Sequence, residues 1–173
     1  MADPNAFDFL RVPSQILVAL DNRPLHYALQ PWHHLVRMAH ILSMATFFGG
    51  IVLLDLRLLG LRPALPVRPM AEHVLPWLYA TFAIAVGSGS LLFLYDPVHV
   101  GSHAYFTLKL ILVAGGLINA GFFHGTAYVR ALATESGMPL AARLAGATSL
   151  VLWTGVVVCA SLNIEAAPKV LLR

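Results

Sequence analysis

An all-α integral membrane protein is what this sequence predicts: an antiparallel bundle of four membrane-spanning helices with a short N-terminal interfacial segment. Three observations lead there. Of 173 residues, 58% are hydrophobic and only 11% charged, where soluble domains run near 25% charged. Four apolar stretches are each long enough to cross a bilayer, which takes about 20 mostly apolar residues. The connections between them are short, which favours up-and-down neighbours. Lipid leaves every backbone group to be satisfied internally, so helices are the expected form.

Residues 1–32 carry Pro4, Pro13, Pro24 and Pro31, too much punctuation for one spanning helix. Ser14–Leu20 (SQILVAL) is apolar but short and reads as an interfacial piece ending at Asp21-Asn22-Arg23-Pro24. An ordered tail packed on the bundle is the alternative. The start, MADPNAFDFLR, is acidic and lacks a basic region followed by an apolar one. No cleavable signal peptide is expected, and the first span would serve as the insertion signal.

The four-helix domain is expected over 33–166, with a tail over 167–173. Span one runs from about His34 to Leu59, and Met38 to Leu54 carries no Asp, Glu, Lys or Arg. Span two, His73 to Tyr95, places Pro76 in its first turn, where a missing N–H is harmless. Its GSGS centre, Gly87 to Ser90, lets a backbone or a flat ligand approach. DPVHVGSH, Asp96 to His103, reads as a turn. Span three, Ala104 to Val129, is interrupted by Lys109 and Asn119, and span four covers Leu144 to Ile164.

Arginines at 57, 62 and 68 flank the first connection and those at 130 and 143 the third, while the second has no Lys or Arg. Positive-inside logic puts the first and third connections in the cytoplasm and both termini outside. The net charge of +3 is scattered between apolar runs, so nucleic acid is not an expected partner. A single cysteine, Cys159, excludes an intramolecular disulfide and a cysteine metal cluster. No hydrolase triad, phosphate loop or HExxH helix is present. A transporter would show broken helices or a paired charge set at the midplane, where only Asn119 stands.

Eight histidines are the chemistry that remains. A histidine inside a span is costly without a partner. His33, His34, His40, His99 and His103 fall in the outer half, and His73 and His124 on the cytoplasmic side. His26 is expected outside the bundle. His103 and His124 are 21 residues apart, about 31 Å along a helix and within about 60° around it. Two sites stacked across one bundle resemble the way a membrane cytochrome b holds two haems, since haem iron takes axial histidines. The expected pairs are His73 with His124 inside and His40 with His103 outside, holding one or two haem b groups. Arg37, one turn before His40, would meet a propionate. Histidines at span ends are also common interfacial residues, and glycines in membrane helices more often serve helix packing than cofactors.

One further signal lies in the first span: His40, then Gly49-Gly50, then DLRLLG from Asp55 to Gly60. That order resembles a family of small bacterial four-helix membrane proteins of unassigned function. GSGSLLF (87–93), YFTLKLIL (105–112) and INAGFFH (118–124) fit the same outline. The resemblance spans roughly 34–130 and implies a multi-pass bacterial inner-membrane protein with His40, Asp55, Lys109, Asn119 and His124 as a polar set. It supplies no function. The leading expectation is a b-type cytochrome-like electron-transfer protein or subunit of a membrane oxidoreductase, with quinone and other membrane or periplasmic redox subunits as partners. The competing ones are a cofactor-free accessory or scaffold subunit, and a metal or proton carrier using His33, His34 and His40.

Overall fold

The computed structural model describes residues 10–61, 66–123 and 138–165, and every regular element among them is helical. Two short helices, α1 (Ser14–Leu20) and α2 (Arg23–Leu29), lead through a 3-10 turn at Gln30–Trp32 into the long α3 (His33–Leu58). There follow α4 (Val67–Tyr95), the single turn α5 (Pro97–Gly101), α6 (Ala104–Phe122) and α7 (Leu140–Glu165). Four helical stretches are long and apolar enough to cross a membrane: Arg23–Leu58, Val67–Tyr95, Ala104–Phe122 and Leu140–Asn163.

Local chemistry sets the ends. Asn22 accepts a hydrogen bond from the Leu25 backbone N–H at 3.2 Å and starts α2. The DLRLLG motif is a helix stop. Gly60 takes φ +97°, its N–H bonds to the Arg57 carbonyl at 3.0 Å, and the Leu61 N–H reaches back to Leu56 at 3.1 Å. That is the Schellman pattern, in which glycine adopts the left-handed conformation and closes the last carbonyls.

Three boundaries differ from the sequence expectation, the first being α7, which begins at Leu140, directly after Pro139, where Leu144 was expected. Helix α4 begins at Val67, capped by extended Pro66, so Pro76 is interior and His73 lies in the second turn. Pro69 falls within the first turn, which needs no donor, and the helix therefore nucleates earlier than Pro76 suggested. The expected turn after Tyr95 is one helical turn, because the Asp96 side chain accepts from the His99 N–H at 3.1 Å and Pro97 sits at the first helical position.

Helix α3 packs on α4 and on α7, and α7 packs on α6. Along the α3–α4 seam Gly50 faces Leu78, Phe47 meets Phe82, and His40 meets Ser88, so numbering falls in one helix as it rises in the other. The main core joins Phe47, Leu54, Ala71, Leu78, Trp153 and Val156. Trp153 stands edge-on to Phe47 at 4.7 Å and to Phe82 at 6.0 Å. A second cluster, Leu58, Val67, Phe123 and Ala142, closes the end where α3 stops and α4 begins. At the other end Leu17 of α1 is fully buried against Gly101 and Phe93. Its neighbours Ile16 and Val18 stay exposed, so α1 packs by one side chain and leaves an apolar face free.

Candidate functional site

Polar side chains gather at two levels. The first is the end of the bundle where α3 begins and α4 finishes. The His26 Nδ1–H donates to the Tyr95 carbonyl at 2.7 Å, satisfying one of the last carbonyls of α4. The Tyr95 ring stacks with His26 at 4.2 Å and with His33 at 4.3 Å. His26 is therefore part of the bundle's end and not outside it: the α2–α3 run is nearly continuous, which carries His26 back over Tyr95. His99 and His103 meet edge-on at 5.5 Å across the α5–α6 junction. Burial first, then the nearby His99 and Arg11, hold the His103 imidazole below its ordinary value.

His40 lies deeper, two turns into α3, and faces α4. Its Nδ1 is 3.0 Å from the Ala85 carbonyl and 3.1 Å from Ser88 Oγ. A carbonyl only accepts, so Nδ1 carries the proton and Nε2 of the neutral ring keeps a lone pair. Ser88 is itself anchored, donating to the Ile84 carbonyl at 2.6 Å. The imidazole rests in the notch of Gly89, where an added Cβ would lie 2.9 Å from His40 Cε1.

The other sequence-predicted residues separate. Arg37 shares an exposed face of α3 with His34, Met38, Ile41 and Leu42, around from His40. His103 meets His99 where His40 meets α4. His73 is exposed in the second turn of α4. His124 lies outside the described residues, so the expected His73–His124 pair does too. Lys109 turns its ammonium over the Phe106 ring, 5.3 Å from the centroid. Among the described residues no three His, Cys, Asp or Glu side chains converge as a metal-binding group.

The second level lies between the far halves of the four long helices. A cavity of about 120 Å³ is lined by α3, α4, α6 and α7. Asp55 opens onto it, 4% exposed, its carboxyl hydrogen-bonded by the Ser149 side chain. Its Oδ2 is buried with no hydrogen-bond partner among the described residues. The hydroxyl of Ser149, on α7, is the hydrogen-bond partner that the fold brings to this carboxyl. Gly146 makes this pairing. It sits 3.1 Å, measured from an ideal Cβ, from the Asp55 carbonyl oxygen, and Ser149 is one turn further along the same face of α7. Asn119, also on the cavity wall, ties α6 to α7 through Nδ2–H to the Ala145 carbonyl at 3.0 Å.

Sequence reasoning missed Ser88, Tyr95 and Ser149. Ser88 had a signal, since it lies in GSGS, but as a spacer and not as an acceptor. Ser149 had none, because a serine in an apolar helix ordinarily bonds its own backbone. No protein-family model, curated protein or solved structure matches this chain.

Proposed function

We propose that the protein is a multi-pass membrane protein of the bacterial inner membrane, an antiparallel four-helix bundle that serves as a b-type cytochrome-like subunit of a redox complex, with His40 as the axial ligand of a haem. The observation that carries the reading is the Nδ1 hydrogen bond from His40 to the Ala85 carbonyl. Ligating histidines characteristically donate their other ring N–H to a carbonyl or carboxylate, which fixes the tautomer and presents Nε2 to the metal. Four long apolar helices support the membrane assignment, and the reversed order of contacts along α3 and α4 supports the antiparallel arrangement. Arginine-bearing connections support the cytoplasmic placement of the α3–α4 and α6–α7 links, with both termini periplasmic.

Haem, when bound, would supply one-electron transfer; the chain's own contribution is to hold the imidazole neutral and oriented. His26, His33, His99 and His103 are engaged with one another or with Tyr95, so the proposal rests on one histidine ligand and not on the pairs expected from sequence. Quinone or a neighbouring redox subunit would be the electron partner.

A second reading has its own observation. The His40 ring fills the Gly89 notch, which is also what a purely structural tie between α3 and α4 requires, and it favours a cofactor-free accessory subunit. An ultraviolet–visible spectrum of the purified full chain decides between them. The haem reading expects a Soret band and a pyridine haemochrome that His40→Ala removes; a spectrum without either band in the unaltered protein refutes it and leaves the structural tie.

A further inference from the structure

The Asp55 cavity is a second site, and its chemistry does not depend on His40. Helices α3 and α7 form its floor, held together where Gly146 meets Asp55 and Leu58. Helices α4 and α6 meet where Phe93 stacks on Phe106 at 5.0 Å, and toward Asp55 they wall the open space over that floor. The walls are mostly apolar and aromatic, with Phe47, Phe82 and Trp153 on one side and Leu117 and Phe123 on the other, and Tyr79, Asn119 and Ser149 as their polar members. Among the described residues no Lys, Arg or His lines it.

A buried carboxyl oxygen without a partner is costly, and native structures ordinarily satisfy such groups. Ser149 hydrogen-bonds the Asp55 carboxyl, yet Oδ2 is left over. A water alone would need two to four polar partners, and polar groups on the wall are already engaged, the Asn119 amide N–H with the Ala145 carbonyl and Ser149 with the Asp55 carboxyl. The missing complement is an apolar body carrying one polar hydrogen.

Size narrows it. An apolar cavity of about 150 Å³ in another protein holds benzene, and this one is about 120 Å³. Charge narrows it further. An ammonium would have to leave its hydration shell behind in a largely apolar cavity, where a hydroxyl gives up far less.

We propose that this cavity binds a small neutral ring bearing a hydroxyl, of the phenol or quinol headgroup type, with its O–H donated to Asp55 Oδ2 and its ring against Trp153 and Phe82. Entry would be lateral, between α4 and α6, which suits a ligand dissolved in the bilayer and rests on the membrane reading alone.

Saturation-transfer NMR and calorimetry on the full chain in detergent micelles, with phenol, toluene and benzylamine as probes, test this. Phenol should bind about tenfold more tightly than toluene, the worth of one hydrogen bond to a carboxyl group, and more tightly than benzylamine. In Asp55→Leu that preference should vanish while toluene still binds. Equal binding of phenol and toluene to the unaltered protein, or no binding of any probe, overturns the proposal. Tightest binding of benzylamine replaces the neutral class by a cationic one and overturns it as well. Each of these readings comes from the unaltered protein, so none depends on the variant's folding. The spectrum that tests His40 is unaffected by any of them.

Discussion

Gly89→Ala and Gly87→Ala are the same substitution two residues apart on α4, and the structure gives them opposite signs. At Gly89 the new methyl would lie 2.9 Å from His40 Cε1 and 3.4 Å from Nδ1. The ring has to move, and its hydrogen bonds to the Ala85 carbonyl at 3.0 Å and Ser88 Oγ at 3.1 Å are lost or lengthened. Overpacking of this kind costs about 1–3 kcal/mol, and a weakened partly buried hydrogen bond about 1 kcal/mol more. Alanine's better helix propensity returns about 1 kcal/mol. The net loss is about 2 kcal/mol. At Gly87 nothing among the described residues lies within 4 Å of the added methyl, so only the propensity and unfolded-chain terms act, and the protein should gain about 1 kcal/mol. Equilibrium unfolding of both variants in mixed micelles with a denaturing detergent measures the difference. A double-mutant cycle then isolates the cause: in a His40→Ala background the cost at Gly89 should shrink by at least about 1 kcal/mol. A Gly89→Ala variant as stable as Gly87→Ala would refute the placement of the imidazole, and with it the tautomer argument.

Trp153→Ala should destabilise by about 3–5 kcal/mol in the same assay, because the ring is 5% exposed, contacts Phe47 and Phe82, and fills the notch of Gly116. A loss below about 1 kcal/mol would mean the ring is not core. Asn119→Ala removes the 3.0 Å tie from α6 to the Ala145 carbonyl and should cost only about 0.6 kcal/mol, the mean for interhelical polar contacts in membranes; a cost several times larger would show that Asn119 does more than hold helices. His103 titrates below its ordinary value in the folded protein, so the unfolded chain binds its proton first as pH falls. Stability should therefore decline as pH drops below about 6.5 and level off below the depressed folded value, and His103→Asn should flatten that slope in thermal unfolding scans between pH 7 and 5.

The helices were legible because composition and length decide them, and the Asp-Leu-Arg-Leu-Leu-Gly stop was legible because only glycine serves there without strain. Which side of each helix faces inward was not. Val151 is 72% exposed and Val156 1% exposed, and Leu42 is exposed where Phe47 is buried. When a helix is apolar all round, periodicity no longer marks its buried face, so partners such as Ser149 for Asp55 cannot be read from spacing. The partners of the histidines were hidden for the same reason: spacing along a helix did not indicate that His40 would meet Ala85 and Ser88, or that His103 would meet His99. Pro76 misled about the start of α4 because proline is also tolerated inside a long helix whose neighbours hold it.

Glycine placement explains both the seams and the cavity. Gly50 receives Leu78 and Gly89 receives His40, joining α3 to α4. Gly146 receives Asp55 and Leu58, joining α7 to α3. Gly116 receives Trp153 and Gly155 receives Leu112, joining α6 to α7. Each close seam has a notch, as expected where apolar helices associate through tight packing and not through exclusion of water. The remaining glycines of α4 and α6 that could have joined those two helices, Gly87 and Gly121, have nothing among the described residues within 4 Å of an added Cβ. The pair without a notch meets where Phe93 stacks on Phe106 at 5.0 Å and stands apart at the other end, and the gap it leaves there is where the unsatisfied oxygen of Asp55 lies. Filling that gap from the wall, by Ala120→Leu or Leu117→Phe, should therefore exclude the hydroxylated ring without touching the seams, leaving unfolding stability within about 1 kcal/mol of the unaltered protein. A comparable loss of stability in both would show that α4 and α6 already touch there, and that the cavity is not a space the fold keeps open.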